Sequence, residues 1–203
     1  MSKGNLSEIH LEIIEEMIAE SLSKAAQSME QMLRIRVKPK LIQYGEGQLR
    51  SLKEFDDLGR FKVNLMKVAF HGEINGAFYF IINNHEMDLI NSVCLPDDIT
   101  GSRNSHTKMM KHDFMSEIEN LIANMSIAAL SEFLGVQVTG EVPIVRNMKG
   151  ELVNPYLENE NELNQTSFFV NSTLDGTVVN IAPHFLWMID GNFIRITKLN
   201  TVA

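Results

Sequence analysis

The chain has 203 residues, 44% of them hydrophobic and 22% charged, with a formal net charge of -8. That composition and length suit a single globular domain with a substantial core, and the acidic balance provides no basic footprint for nucleic acid or an anionic membrane. Cys94 is the only cysteine, which excludes an internal disulfide, and no apolar run approaches the roughly 20 residues of a membrane-spanning helix.

In chain order, the N-terminal segment meets glutamates before any apolar run long enough for a signal peptide, so a cytoplasmic setting is expected. Residues 5–33 carry a helical period through Ile9, Ile13, Ile14, Met17, Ile18, Leu22, Ala25, Met29 and Leu33, with Asn5 or Ser7 as cap. LRIRVKPKLIQYGEG alternates like a strand, and Pro39 within it points to a sheet edge or a bulge. SLKEFDDLGR is polar and turn-rich. FKVNLMKVAFHGEINGAFYFIINN reads as a hairpin, with Asn75-Gly76 suited to the turn, and HEMDLINSVCLP as a short helix ending before Pro96. The segment 98–112 lacks apolar periodicity and reads as a linker.

A second helix is expected from about Asp113 to Leu134, with Phe114, Ile118, Leu121, Ile122, Met125, Ala129 and Phe133 as its apolar face and Gly135 as its C-terminal cap. Val136 and Val138 open a β-alternating run that Pro143 interrupts. Asp113, Glu117, Asn120 and Asn124 recur at i, i+4, i+7 and i+11, forming one polar stripe along the helix flank. RNMKGELVNPYLENENELNQ reads as a long polar loop, and TSFFVNSTLDGTVVNIAP as a hairpin turning at Asp175-Gly176. FLWMIDGNFIRITKL shows no clear helical period, although Phe185–Ile189 is compatible with a short helical turn. The two halves, 1–97 and 113–203, repeat helix, strand and hairpin, and Glu16 stands as far before Pro39 as Asn120 stands before Pro143. A duplicated, pseudo-two-fold α/β (α+β) domain follows, with two long helices lying on a shared sheet.

The spacing Asp-x3-Glu-x2-Asn-x22-Pro, met at Asp113, Glu117, Asn120 and Pro143, resembles the signature of the CheC/CheX/FliY phosphatases, which remove the phosphoryl group from the chemotaxis regulator CheY. The resemblance implies the duplicated CheC-like fold over nearly the whole chain. It also implies hydrolysis of a receiver's aspartyl phosphate, with Asn120 placing the water and Glu117 engaging the receiver's lysine. Asp113 and Pro143 would play supporting, structural parts. No cofactor of the chain's own is implied, since the receiver holds the Mg2+. Counting back from Pro39 puts Glu16, Ile13 and Ile9 at the equivalent places of the first helix, which therefore lacks the motif. One motif per chain resembles CheX, whose members act as dimers.

The expected partner is thus a phosphorylated CheY-like receiver, with a homodimer as a possible assembly. The alternative is a non-catalytic interaction module on the same scaffold, as in the middle domain of the flagellar switch protein FliM. The 6 histidines show no i, i+4 pairing and the sequence has no Gly-rich phosphate loop, so no metal or nucleotide site is expected.

Overall fold

The computed structural model describes residues 8–33, 36–46, 49, 52–102, 104–163, 168–176 and 180–200. The chain begins with α1 (Glu8–Leu33) and β1 (Val37–Glu46). Next come α2 (Lys53–Asp56), a 3-10 turn (Asp57–Arg60), the strands β2 (Lys62–Gly72) and β3 (Gly76–Asn83), α3 (Asn84–Cys94) and α4 (Asp97–Thr100). The second half runs through α5 (Ser105–Leu134), β4 (Val138–Gly140), β5 (Ile144–Lys149) and a 3-10 turn (Gly150–Leu152). It closes with α6 (Val153–Leu163), β6 (Phe168–Gly176), β7 (His184–Ile189) and α7 (Gly191–Asn200).

All strand pairs are antiparallel, in the order β1-β6-β7-β3-β2-β4, with β5 also paired to β2. Exchanging β1, β2 and β3 with β4, β6 and β7 turns this order into its own reverse. The sheet therefore carries the pseudo-two-fold relation expected of the two halves, and α1 and α5 lie together on one face of it.

The sheet is covered on both sides. Met66, Val68, Phe70, Phe78, Phe80, Phe185 and Trp187 pack against α1 and α5, while Val63, Leu65, Tyr79, Ile81 and Leu186 meet Phe55, Leu58, Val153 and Leu157 on the other face. Double coverage explains why β3 and β7 read as continuous apolar runs without alternation. It also corrects FLWMI: Phe185–Ile189 belongs to a central strand, and the closing helix is α7 instead. Pro39 behaves as expected, because among the described strands β1 is an edge strand paired only to β6, with a bulge between Leu41 and Gln43.

Three other expectations are revised. Asn75-Gly76 is not a two-residue turn, since Phe70 pairs with Gly76 and the connection spans 71–75. Gly76 remains in the strand, where an added Cβ would lie 2.2 Å from the Met188 carbonyl oxygen. The expected loop 146–166 is not one over its described residues, 146–163, which hold part of β5, a 3-10 turn and α6. Its polar sequence hides the helix because two of its asparagines are buried and hydrogen-bonded. Asn161 Oδ1 accepts from the Leu49 amide, and Asn154 Oδ1 from the Leu52 amide, while Asn154 Nδ2 donates to the Leu52 carbonyl. The linker 98–112 likewise contains α4 and the first two turns of α5, which Asn104 caps by accepting from the Thr107 amide at 2.8 Å. The helical period fails there because Met109 and Met110 are exposed and only Thr107 is buried.

The Asp175-Gly176 turn partly falls on residues 177–179, which lie outside the described residues, as do Asn5 and Ser7. The side chains of Ile9, Ile13, Ala25, Met29 and Leu33 also lie outside the description. Among the described residues, no helix is long and apolar enough to cross a membrane.

Candidate functional site

The helix α5 spans 30 residues and supplies every polar group of the predicted stripe. Its end is set by Gly135 in the left-handed conformation (φ 65°, ψ 31°), with the Val136 amide returning to the Ser131 carbonyl. An added Cβ there would meet nothing within 4 Å, so only backbone strain opposes a side chain. Gly135→Ala is expected to cost about 1 kcal/mol, measured by urea denaturation, the increment of one forced left-handed residue.

The buried face of α5 comprises Met115, Ile118, Glu119, Ile122, Ala123, Ser126, Ile127, Ala129, Leu130 and Leu134. This is rotated from the expected face. Phe114, Leu121 and Phe133 are only half-buried, and Met125 is exposed. Asp113, Glu117 and Asn124 are exposed and Asn120 is half-buried.

Asp113 and Glu117 form no side-chain hydrogen bond or ion pair with a described residue, so the Glu117 carboxylate is available to an outside cation. Asn120 is held differently. Asn124 Nδ2 donates to Asn120 Oδ1 at 3.2 Å, which fixes the direction of the carboxamide and leaves the second lone pair of its oxygen for another donor. Asn124, which the sequence reading leaves outside the signature, therefore belongs with the site. Its place one turn from Asn120 was the available signal. Pro143 stands apart. It occupies the break between β4 and β5, both of which pair with β2 at the sheet edge, and shares no polar contact with the stripe. Around the stripe, Met109, Met110 and Met125 expose thioether side chains.

Among the described side chains, the first helix offers no counterpart to Asn120. Glu16 is exposed on α1, where the site in α5 has Asn120. Further along, Lys24 joins Glu20 at 3.1 Å and Glu132 of α5 at 2.7 Å, so this flank of α1 meets its partner helix through charges.

Beneath the stripe, on the opposite side of α5, lies a group the sequence reading passed over. Glu119 is 0% exposed, and its Oε1 accepts from Asn64 Nδ2 at 2.6 Å. Glu119 Oε2 has no hydrogen-bond partner among the described residues. Burial pushes this carboxyl up to about 7, opposed by the Asn64 hydrogen bond. The signal was phase: Asn64 alternates with Met66, Val68 and Phe70 on the helix-facing side of β2, and Glu119 falls in the sector of Met115 and Ile122. The pair ties α5 to the sheet one residue before Asn120.

No family model and no curated protein matches the chain. Among solved structures it is similar to Thermotoga maritima FliY, with a TM-score of 0.71 and 12% identity over 96% of this chain and 97% of that one. It is also similar to a chain of the CheX–CheY–BeF3–Mg2+ complex from Borrelia burgdorferi (TM-score 0.54, 15% identity, 85% and 97% covered). The FliM middle domain from H. pylori is alike at a TM-score of 0.54 and 9% identity, with 95% and 99% covered. Likeness at such identities is one of architecture. The duplicated antiparallel sheet with α1 and α5 on one face is the fold of the CheC/CheX/FliY proteins, and this chain has it.

Proposed function

We propose that the chain acts in chemotaxis or a related two-component pathway by accelerating hydrolysis of the aspartyl phosphate on a CheY-like receiver domain. The observation that carries this reading is the outer edge of α5, where Glu117 and Asn120 stand one turn apart with Asn120 oriented by Asn124. Hydrolysis needs a water held in line with the phosphorus and charge stabilisation at the phosphoryl oxygens. The receiver brings its own Mg2+ and lysine for the second. A carboxamide suits the first, because Asn120 Nδ2 can donate and the free lone pair of Oδ1 can accept without adding negative charge beside the phosphoryl group. Glu117, with no internal partner, pairs with the receiver's lysine and sets the register of the helix edge.

Exposed Met109, Met110 and Met125 give the same edge an adaptable apolar border, a usual trait of protein-docking surfaces. Likeness to a chain from a complex containing CheX and CheY supports a receiver as the partner. Likeness to the FliM middle domain supports a second reading, a switch-like module that binds without turnover.

Binding measured apart from turnover separates the two. Under the enzyme reading, Asn120→Ala still binds a phosphorylated CheY-type receiver but loses acceleration, whereas Glu117→Ala weakens binding itself. If the intact chain binds the receiver and leaves its intrinsic decay unchanged, the switch-like reading replaces the enzyme.

A further inference from the structure

The first two turns of α5, together with α3, β2 and β5, line an open cavity of about 260 Å³ that the stripe does not use. Its walls have opposite character. On α3, Asp88 and Asn91 stand at i, i+3, and Asn91 is 5% exposed with an Oδ1 that has no hydrogen-bond partner among the described residues. On α5, Lys108, Lys111 and His112 face the same space. Lys111 Nζ donates to the Thr100 carbonyl at 2.9 Å, which leaves two of its three N–H groups, and His112 Nδ1 lies 3.4 Å from Ser116 Oγ. Among the described residues, no ion pair or hydrogen bond joins the acceptor wall to the donor wall, so neither Asp88 nor Lys108 is neutralised across the gap. Asn64, which donates to Glu119, and Asn147 complete the lining on the sheet side.

A buried carboxamide oxygen without a donor is costly, and the broad χ2 of asparagine lets it turn toward an incoming group. An occupant that satisfies this cavity carries a cationic donor at one end and an anionic acceptor at the other. A simple anion would leave the buried Asn91 oxygen without a donor. A simple amine would leave the two remaining N–H groups of half-buried Lys111 without an acceptor from the occupant. We propose that the cavity is a binding site for a small zwitterion, a free α-amino acid. Its carboxylate lies on Lys108 and Lys111, and its ammonium group on Asp88 and the Asn91 oxygen. The assignment is independent of the activity at Glu117 and Asn120, from which the cavity is separated by the body of α5.

The test is an NMR titration of the ¹⁵N-labelled full chain with each of the twenty standard L-amino acids at up to about 10 mM, a range that detects millimolar dissociation constants. Propionate, ethylamine and inorganic phosphate serve as single-charge probes. At least one amino acid is expected to give saturable shifts clustered at Asn64, Asn91, Lys108 and His112, with none from propionate or ethylamine at equal concentration. Asp88→Asn and Asn91→Leu are each expected to weaken that binding about tenfold or more, the loss of one charge-assisted hydrogen bond. Asp88 is exposed, so its replacement leaves the fold intact and keeps the test decisive should Asn91→Leu not fold. Absence of clustered shifts with every amino acid, equal binding of propionate or phosphate, or undiminished affinity in Asp88→Asn overturns the assignment.

Discussion

Glu119→Gln is expected to stabilise the protein at pH 8 by on the order of 3 kcal/mol and to change little at pH 4.5, so that the two stability curves converge in acid. The carboxyl has 0% exposure and one hydrogen bond, from Asn64, and burial raises its folded value from 4.5 to about 7. For an acid shifted upward, the folded state holds a proton that the unfolded state has released between those two values. Stability is therefore fully present below about 4.5 and falls as pH rises through about 7, by about 1.4 kcal/mol for each pH unit between them. Glutamine keeps an oxygen for Asn64 Nδ2 and removes the ionisation. Glu86, whose carboxyl burial also raises, affects both proteins alike and drops out of the difference. Urea denaturation at pH 5, 6, 7 and 8 checks the result. Parallel curves for the two proteins would mean that Glu119 is not held buried beneath the stripe.

Gly150→Ala is expected to cost about 3 kcal/mol or more, because the position admits no side chain. A Cβ there would lie 1.8 Å from the Leu58 carbonyl oxygen, 2.2 Å from its carbon and 2.8 Å from the Gly59 nitrogen. All three are backbone atoms, which cannot swing aside, and overpacking of this kind stands at or beyond the upper end of the usual 1–3 kcal/mol. The Gly150 amide also donates to the Phe61 carbonyl at 2.9 Å, so relief by displacement sacrifices a hydrogen bond. This junction joins the 3-10 turn Asp57–Arg60 to the start of the segment leading into α6, and both cover the outer face of the sheet. Gly59→Ala is the matched control, since a Cβ at Gly59 meets nothing within 4 Å. Chemical denaturation of both variants makes the comparison. Equal, small losses would contradict the close backbone approach.

What the sequence disclosed and what it hid follow from how each residue is buried. The long helices were legible because α1 and α5 each place one face on the sheet and so keep a helical period. The strand after α5 and the break at Pro143 were legible for a similar reason: edge strands exposed on one side retain alternation. The central strand β7 was hidden because coverage on both faces erases alternation, leaving FLWMI without a period to read. The helix α6 was hidden because Asn154 and Asn161, polar by type, are core residues satisfied by the backbone of 49–52.

The stripe itself was read correctly as one face of one helix, since spacing alone fixes which side chains align. The hydrogen bond from Asn124 to Asn120 was not read, because two amides a turn apart on a polar flank are equally compatible with independent solvation. Glu119 was missed for the opposite reason: an acid next to a stripe of polar residues suggests solvent, and only the rotation of the buried face past Phe114 and Met125 places it in the core.

The measurement closest to the central claim is the decay rate of a phosphorylated CheY-type receiver, with Mg2+ present, in the presence of the intact chain, Asn120→Ala or Glu117→Ala. The intact chain is predicted to accelerate the decay, and Asn120→Ala to lose that acceleration on the order of 10²-fold, as expected for a misplaced attacking water, while folding is unchanged. Glu117→Ala is predicted to need much more protein for the same rate. Undiminished acceleration by Asn120→Ala would contradict the claim that the outer edge of α5 places the water.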